Sequence, residues 1–87
     1  MKILALDLGK SKSAVCILDT AAMKERYTTI ETTPFRMSLL LEEQRPDRVV
    51  FEVGTLAGWV HDLAVGQCCV VEVANPNHEG WRWRNWR

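Results

Sequence analysis

Residues 2–10, which have the sequence KILALDLGK, constrain the fold more than any other stretch of the chain. Their apolar residues cover both faces of a strand, which is typical of a central strand in a sheet covered on two sides. Asp7 lies near the carboxyl end of this strand. Because an isolated buried carboxylate is strongly disfavoured, we expect Asp7 to be hydrogen-bonded, ion-paired or bound to a metal. Gly9 then permits a tight turn.

The next residues predict more strands and then a helix. Residues 14–18 follow the turn closely enough to form a hairpin with the first strand, and residues 26–30 are typical of an exposed outer strand. Thr33 can cap a helix that starts at Pro34 and stops before Pro46. We expect this helix to bury four apolar side chains, those of Phe35, Met37, Leu40 and Leu41.

The second half of the chain alternates strand and helix. Residues 48–53 predict a buried strand that again ends with an acid, Glu52, and residues 68–73 predict the last strand. Between them a helix should open at Gly54 and close at Gly66. Its apolar face would carry Leu56, Trp59, Val60, Leu63 and Ala64.

The order of these elements predicts a mixed α/β sheet. Each later crossover passes through a helix and should be right-handed, so the last strands should run parallel to the first. This order, with an acid on the first strand and another on the fourth, resembles the layout of the ribonuclease H-like fold. The first and fourth strands are neighbours in that fold, so Asp7 and Glu52 would meet at one end of the sheet.

Two carboxylates placed in this way can hold divalent ions. Two metals about 3.5 to 4 Å apart can activate the attacking oxygen and stabilise the leaving oxygen of a phosphodiester, and magnesium is the natural choice. Other roles stay open. Asp7 could accept N–H groups of the turn or pair with Lys10 or Lys12, and Glu52 could be a helix-start acid favoured by the dipole.

Composition places the chain among small globular proteins. Its 87 residues suit at most one domain, and its net charge of zero gives no global attraction to nucleic acid. No apolar run approaches the roughly 20 residues of a membrane span, and Asp7 interrupts any signal-peptide pattern, so we expect a cytoplasmic protein. The odd number of cysteines, Cys16, Cys68 and Cys69, indicates reduced thiols.

The final residues, 76–87, form a tail rich in tryptophan and arginine. Arg82, Arg84 and Arg87 are candidate phosphate contacts, with Lys10 and Lys12 as further candidates. The tryptophans could stack on bases. We favour the alternative that they pack on the remainder of the domain.

Several segments together resemble one family. KILALDLGKSKSAVCILD, TTP, VVFEVGTLAGWVHDLA and VVEVANP with the Trp/Arg stretch are similar to the amino-terminal part of the RuvC-like, DEDD-type insertion-sequence transposases. Members of that family work with a structured bridge RNA. The resemblance makes Asp7 and Glu52 the first two metal-binding acids, for Mg2+ or Mn2+. Two further acids would follow Arg87 on a segment resembling Lys-Thr-Asp-Arg-x-Asp-Ala.

On this resemblance, residues 1–87 are expected to form the amino-terminal portion of one RuvC-like catalytic domain, incomplete at the carboxyl terminus. The parent protein would cut and rejoin DNA with a structured guide RNA, and its carboxyl-terminal domain would supply a serine. The chain alone should bind magnesium weakly and cleave nothing. Homo-oligomers are possible, since exposed apolar surface tends to be covered.

Two other functions compete with this one. Residues 6–11, followed by a strand that ends in Asp19, also resemble the first phosphate motif of actin-like ATPases and sugar kinases. The short length of the chain and residues 54–59 fit the transposase better. The third alternative is a non-catalytic oligomerisation module, which needs no chemistry.

Overall fold

The computed structural model describes residues 1–54, 57–67 and 69–74. Within them the chain forms every predicted element, with bounds that shift by a few residues. These elements are β1 (Lys2–Asp7), β2 (Lys12–Asp19), β3 (Lys24–Glu31), α1 (Pro34–Gln44), β4 (Arg48–Glu52), α2 (Ala57–Gly66) and β5 (Val70–Ala74). Cys68 and the tail, including Arg82, Arg84 and Arg87, lie outside the described residues.

The strands form one mixed sheet in the order β3-β2-β1-β4-β5. β2 pairs antiparallel with both β1 and β3, whereas β4 pairs parallel with both β1 and β5. β3 is an edge strand, and nearly all of its side chains are exposed, as its composition predicts. The prediction that the first and fourth strands are neighbours is confirmed.

Both helices pack on one face of this sheet. The core on this side contains alternate residues of the strands and the inner residues of the helices, namely Leu4, Leu6, Val15, Ile17, Met37, Leu40, Leu41, Val49, Phe51, Val60 and Ala64. The other face, which we call the second face, carries the intervening residues. On β1 these are Ile3 and Ala5, which are only partly buried. Among the described residues, β1 is therefore fully covered on one face only, not on two as its sequence predicts.

Capping fixes both ends of α1. The Thr33 hydroxyl oxygen accepts the N–H of Arg36 at 3.2 Å, and Pro34 occupies the first turn. At the other end Arg45 has the left-handed conformation, with φ 44°, and its N–H donates to the Leu41 carbonyl at 2.9 Å. The helix therefore stops before Pro46, as predicted.

The prediction that Phe35 points inward is wrong. Its side chain is 70% exposed, whereas Met37, Leu40 and Leu41 are buried. At 3.6 residues per turn, Phe35 lies about 160° around the helix axis from Met37. It therefore faces away from the core that the other three residues share.

In α2 the predicted apolar face is largely correct. Val60 and Ala64 are buried, and Trp59 and Leu63 pack against the core from partly buried positions. The predicted fifth residue, Leu56, lies outside the described residues. No helix in residues 1–54, 57–67 and 69–74 has the length and apolar character needed to cross a membrane.

The turn between β1 and β2 depends on Gly9. A Cβ atom on this residue would lie 2.2 Å from the carbonyl oxygen of Lys12, closer than any real contact. The turn is also tied to the end of β3, because the Thr32 N–H donates to the Ser11 carbonyl at 2.9 Å. The buried hydroxyl of Ser13 lies 2.7 Å from that of Thr32. The conformation of the β1–β2 turn, which follows Asp7, is thus fixed by Gly9 and by the hydrogen bonds with Thr32.

We predict that Gly9→Ala destabilises the fold by about 1 to 3 kcal/mol, because the turn must move to accommodate a methyl group. The matched control is Gly58→Ala in α2, where a Cβ atom would meet nothing within 4 Å. This change should stabilise the protein by about 0.5 to 1 kcal/mol, since alanine favours the helix. Urea denaturation followed by tryptophan fluorescence measures both. Equal effects of the two substitutions would contradict the role of Gly9.

Candidate metal centre

The parallel pairing of β1 with β4 places Asp7 beside Glu52. The register runs to Leu6 opposite Phe51, and the two acids are the next residues of their strands. Since Leu6 and Phe51 are buried under the helices, alternation directs Asp7 and Glu52 to the second face. Both acids are exposed, so the expectation that Asp7 is buried is wrong, and water can solvate its carboxylate. Adjacent strands lie about 4.8 Å apart, so the two carboxylates are within reach of one cation.

Within the described residues, no hydrogen bond or ion pair occupies either carboxylate. The turn N–H groups around Gly9 do not donate to Asp7, and neither Lys10 nor Lys12 pairs with it. Glu52 lies before the first turn of α2, which begins at Ala57 and contains no acid in that turn. In this part of the chain, Asp7 therefore neither accepts turn N–H groups nor pairs with a lysine, and Glu52 is not an acid of the first helical turn.

The acids at the opposite end of the sheet behave differently. Asp19 accepts the N–H groups of Ala21 and Ala22 at 3.1 and 3.2 Å. Asp47 accepts the N–H of Lys2 at 2.7 Å. These carboxylates hold turns and strand ends in place, whereas Asp7 and Glu52 have no comparable structural task among the described residues.

Two carboxylates this close repel each other. For two carboxylates one strand spacing apart, about 5 Å, the repulsion in a water-like dielectric is of order 1 kcal/mol. A divalent cation between them would replace this repulsion with attraction. Oxygen ligands of this kind suit hard cations such as Mg2+ and Mn2+.

The protein ligands in the described residues number fewer than three. No group of three or more His, Cys, Asp or Glu side chains that could hold a metal is found in residues 1–54, 57–67 and 69–74. Mg2+ commonly binds through one or two carboxylates and completes its shell with water and substrate phosphates. The Asp7 and Glu52 pair fits that mode of binding.

Basic and aromatic side chains lie at the same end of the sheet. Lys10 and Lys12 are exposed beside the turn that follows Asp7. Lys12 lies opposite Glu31 across the β2–β3 pair, and Glu31 forms an ion pair with Arg36 at 3.5 Å. The sequence analysis did not identify Arg36 or Phe35 as surface residues of this end of the sheet. The spacing of Phe35 from Met37 already places Phe35 off the buried face of α1.

Cys16 also lies on the second face, in the middle of β2. Burial raises the pKa of its thiol, while a hydrogen bond with Tyr27 lowers it to a smaller extent. The hydrogen bond that Tyr27 donates to Glu25 is the main cause that raises the tyrosine pKa to about 12. Both groups are therefore protonated near neutral pH, and neither is an activated nucleophile.

The topology defines the class of fold. A sheet of order β3-β2-β1-β4-β5, with only β2 antiparallel to its neighbours and the helices after β3 and β4, is the ribonuclease H-like arrangement that the sequence predicts. No protein-family model matches the chain, and no curated protein matches it in sequence.

Solved structures agree with this fold. The structure of Thermus thermophilus RuvC matches with a TM-score of 0.62 and 20% identity, over 87% of this chain and 62% of that chain. YeaZ from Pseudomonas aeruginosa matches with a TM-score of 0.53 and 18% identity, over 85% of this chain and 43% of that chain. An uncharacterized protein with similarity to peptidase YeaZ from Pseudomonas aeruginosa matches with a TM-score of 0.50 and 22% identity, over 85% of this chain and 43% of that chain. The chain spans less than two thirds of each of these proteins.

If Asp7 and Glu52 have no structural role, Asp7→Asn and Glu52→Gln should leave the free energy of unfolding unchanged or raise it by up to about 1 kcal/mol, because each removes a like-charge repulsion. Asp47→Ala should lower it by about 1 kcal/mol, because it removes the acceptor of the Lys2 N–H. Urea denaturation of the three variants tests this. A loss at Asp7 as large as that at Asp47 would make Asp7 a structural acid.

Proposed function

We propose that Asp7 and Glu52 form part of the metal site of a DNA transposase or recombinase, which cuts and rejoins DNA by metal-dependent phosphodiester chemistry. The observation that supports this most is the adjacency of two exposed carboxylates that no described residue engages. Two like charges held side by side do not help the fold, and folds accept such local conflicts mainly at functional sites. The sequence resemblance to the RuvC-like, DEDD-type transposases supports the same assignment.

In this proposal Asp7 and Glu52 would hold Mg2+ or Mn2+ through their carboxylate oxygens. When bound, the metal would polarise phosphoryl oxygen and lower the pKa of water. The remaining contribution of the protein is positional. The β1–β4 register sets the separation of the carboxylates, and the rigid turn at Gly9 keeps Asp7 at the surface of the second face.

The proposed substrates and partners are DNA and, in the complete protein, a structured guide RNA. Lys10 and Lys12 lie where they could contact phosphates next to the acids, and Arg82, Arg84 and Arg87 are further candidates from the sequence. We expect the protein to act in the cytoplasm, and a homo-oligomer is part of the proposal. Residues 1–87 alone should bind the metal weakly and leave DNA uncut.

Paramagnetic broadening by Mn2+ tests the metal site directly. In NMR spectra of isotopically labelled protein, low concentrations of Mn2+ should first broaden the amide signals of Asp7, Leu8, Glu52 and Val53. Asp7→Asn or Glu52→Gln should abolish this preference, and excess Mg2+ should compete. Asp47→Ala is the control, because it removes an acid at the opposite end of the sheet.

Broadening that persists in both acid variants would overturn the proposal. So would broadening centred on the adjacent acids Glu42 and Glu43 of α1. Cleavage of DNA is not required for a positive result, so the test applies to the 87-residue chain itself.

The phosphate-binding alternative, that of the actin-like ATPases and sugar kinases, has weaker support. Its favourable feature is the tight β1–β2 turn around Gly9. Its second acid, Asp19, lies at the far end of β2, where it pairs in register with Lys24 of β3 and accepts turn N–H groups. A thermal shift caused by MgATP and not by DNA would favour this alternative.

A further inference from the structure

Among the described residues, Phe35 is not part of the hydrophobic core. Its ring is 70% exposed in the first turn of α1, and burial of the helix depends on other residues. The Arg36 guanidinium carbon lies 5.8 Å from the centre of this ring, which is within the range of a cation–π interaction. The surface at this point is therefore an exposed aromatic ring with a cation over one of its two faces.

The charged neighbours of Phe35 form a connected set. Arg36 Nε lies 3.5 Å from Glu31 Oε1, and Glu31 is the register partner of Lys12. We call Lys12, Glu31, Phe35 and Arg36 the Phe35 platform. The ion pair uses Nε, so the terminal nitrogens of Arg36 keep their donors for other acceptors, and its side chain is 52% exposed.

The platform lies at the same end of the sheet as the acid pair. β1 ends at Asp7, β4 ends at Glu52, and β3 ends at Glu31, where the chain turns into α1. Two strand spacings, about 10 Å, separate β3 from β1. Asp7 and Glu52 lie on the second face, whereas α1 packs on the other face, so a polymer that contacts both places must pass around the β3 edge of the sheet.

We propose that the Phe35 platform binds single-stranded DNA, with Phe35 stacking on an unpaired base and Arg36 and Lys12 contacting the flanking phosphates. This proposal rests on the proposed function, because the strand bound by the platform would be the substrate of the metal site at Asp7 and Glu52. Stacking requires a base whose face is accessible, which a paired duplex does not offer. A lone aromatic ring between charged residues is also too small an apolar surface to dock a protein.

Fluorescence anisotropy with labelled oligothymidylate at low salt tests the platform in the 87-residue chain. Phe35→Ala should weaken binding by about 5- to 150-fold, the usual effect of losing one stacked base. Phe35→Trp should retain it. The control is Tyr27→Ala, which removes an equally exposed ring (70%) from the middle of β3. It should bind like the unaltered chain.

The salt dependence separates stacking from charge. Arg36→Gln should reduce the slope of log affinity against log salt by about 0.7, the value for one phosphate of a single strand. Phe35→Ala should leave this slope unchanged. A blunt duplex should bind more weakly than oligothymidylate, and tighter binding of oligouridylate would replace DNA by RNA as the ligand and overturn the proposal as stated.

The platform and the metal site can fail separately. If Phe35→Ala and Tyr27→Ala bind equally, or if the unaltered chain does not bind oligothymidylate, the platform is overturned, whatever Mn2+ does. If Phe35→Ala weakens binding but Mn2+ does not select Asp7 and Glu52, the platform stands as a single-strand binding surface and the proposed nuclease chemistry fails.

Discussion

The parallel pairing of β1 with β4 is the constraint on which the candidate site depends. Leu6 and Phe51 are register partners, and both are buried against the helices. Because side chains alternate along a strand, this burial forces Asp7 and Glu52 to the second face at the same height. A register slip of one residue would move an acid into the core, so the hydrophobic core itself enforces the adjacency of the two carboxylates.

The acids at one end of the sheet stabilise the fold, whereas those at the other end are the candidate metal ligands. At the amino end of β1, Asp19 and Asp47 satisfy backbone N–H groups and so stabilise the turns around them. At the carboxyl end, the turn is held by Gly9 and by the contacts of Thr32, without help from Asp7. The fold therefore tolerates two unneutralised acids side by side, a repulsion that costs about 1 kcal/mol and that a cation would relieve.

Much of this arrangement could be predicted from the sequence. Apolar runs, Thr33, Pro34 and Pro46 determine the elements through burial and capping, and helical crossovers make β1 and β4 parallel neighbours. Phe35 was placed wrongly although its spacing from Met37, Leu40 and Leu41 already puts it on the other side of the helix. The ion pair of Arg36 with Glu31 was also not predicted, since it depends on how α1 leaves β3.

Beyond β4, the acid set does not extend to β5 within the described residues. Glu72 lies on the second face, opposite Val50, but its carboxylate is engaged by the Arg48 guanidinium. The β5 residue level with Glu52 is Ala74, which offers no ligand. Any further ligand for a cation at Asp7 and Glu52 must therefore come from water, from substrate phosphate or from a segment outside the described residues. A nucleic-acid strand that is held by the Phe35 platform and passes around the β3 edge would bring its phosphates to this incomplete shell, so nucleic-acid binding and metal binding at this end of the sheet should reinforce each other.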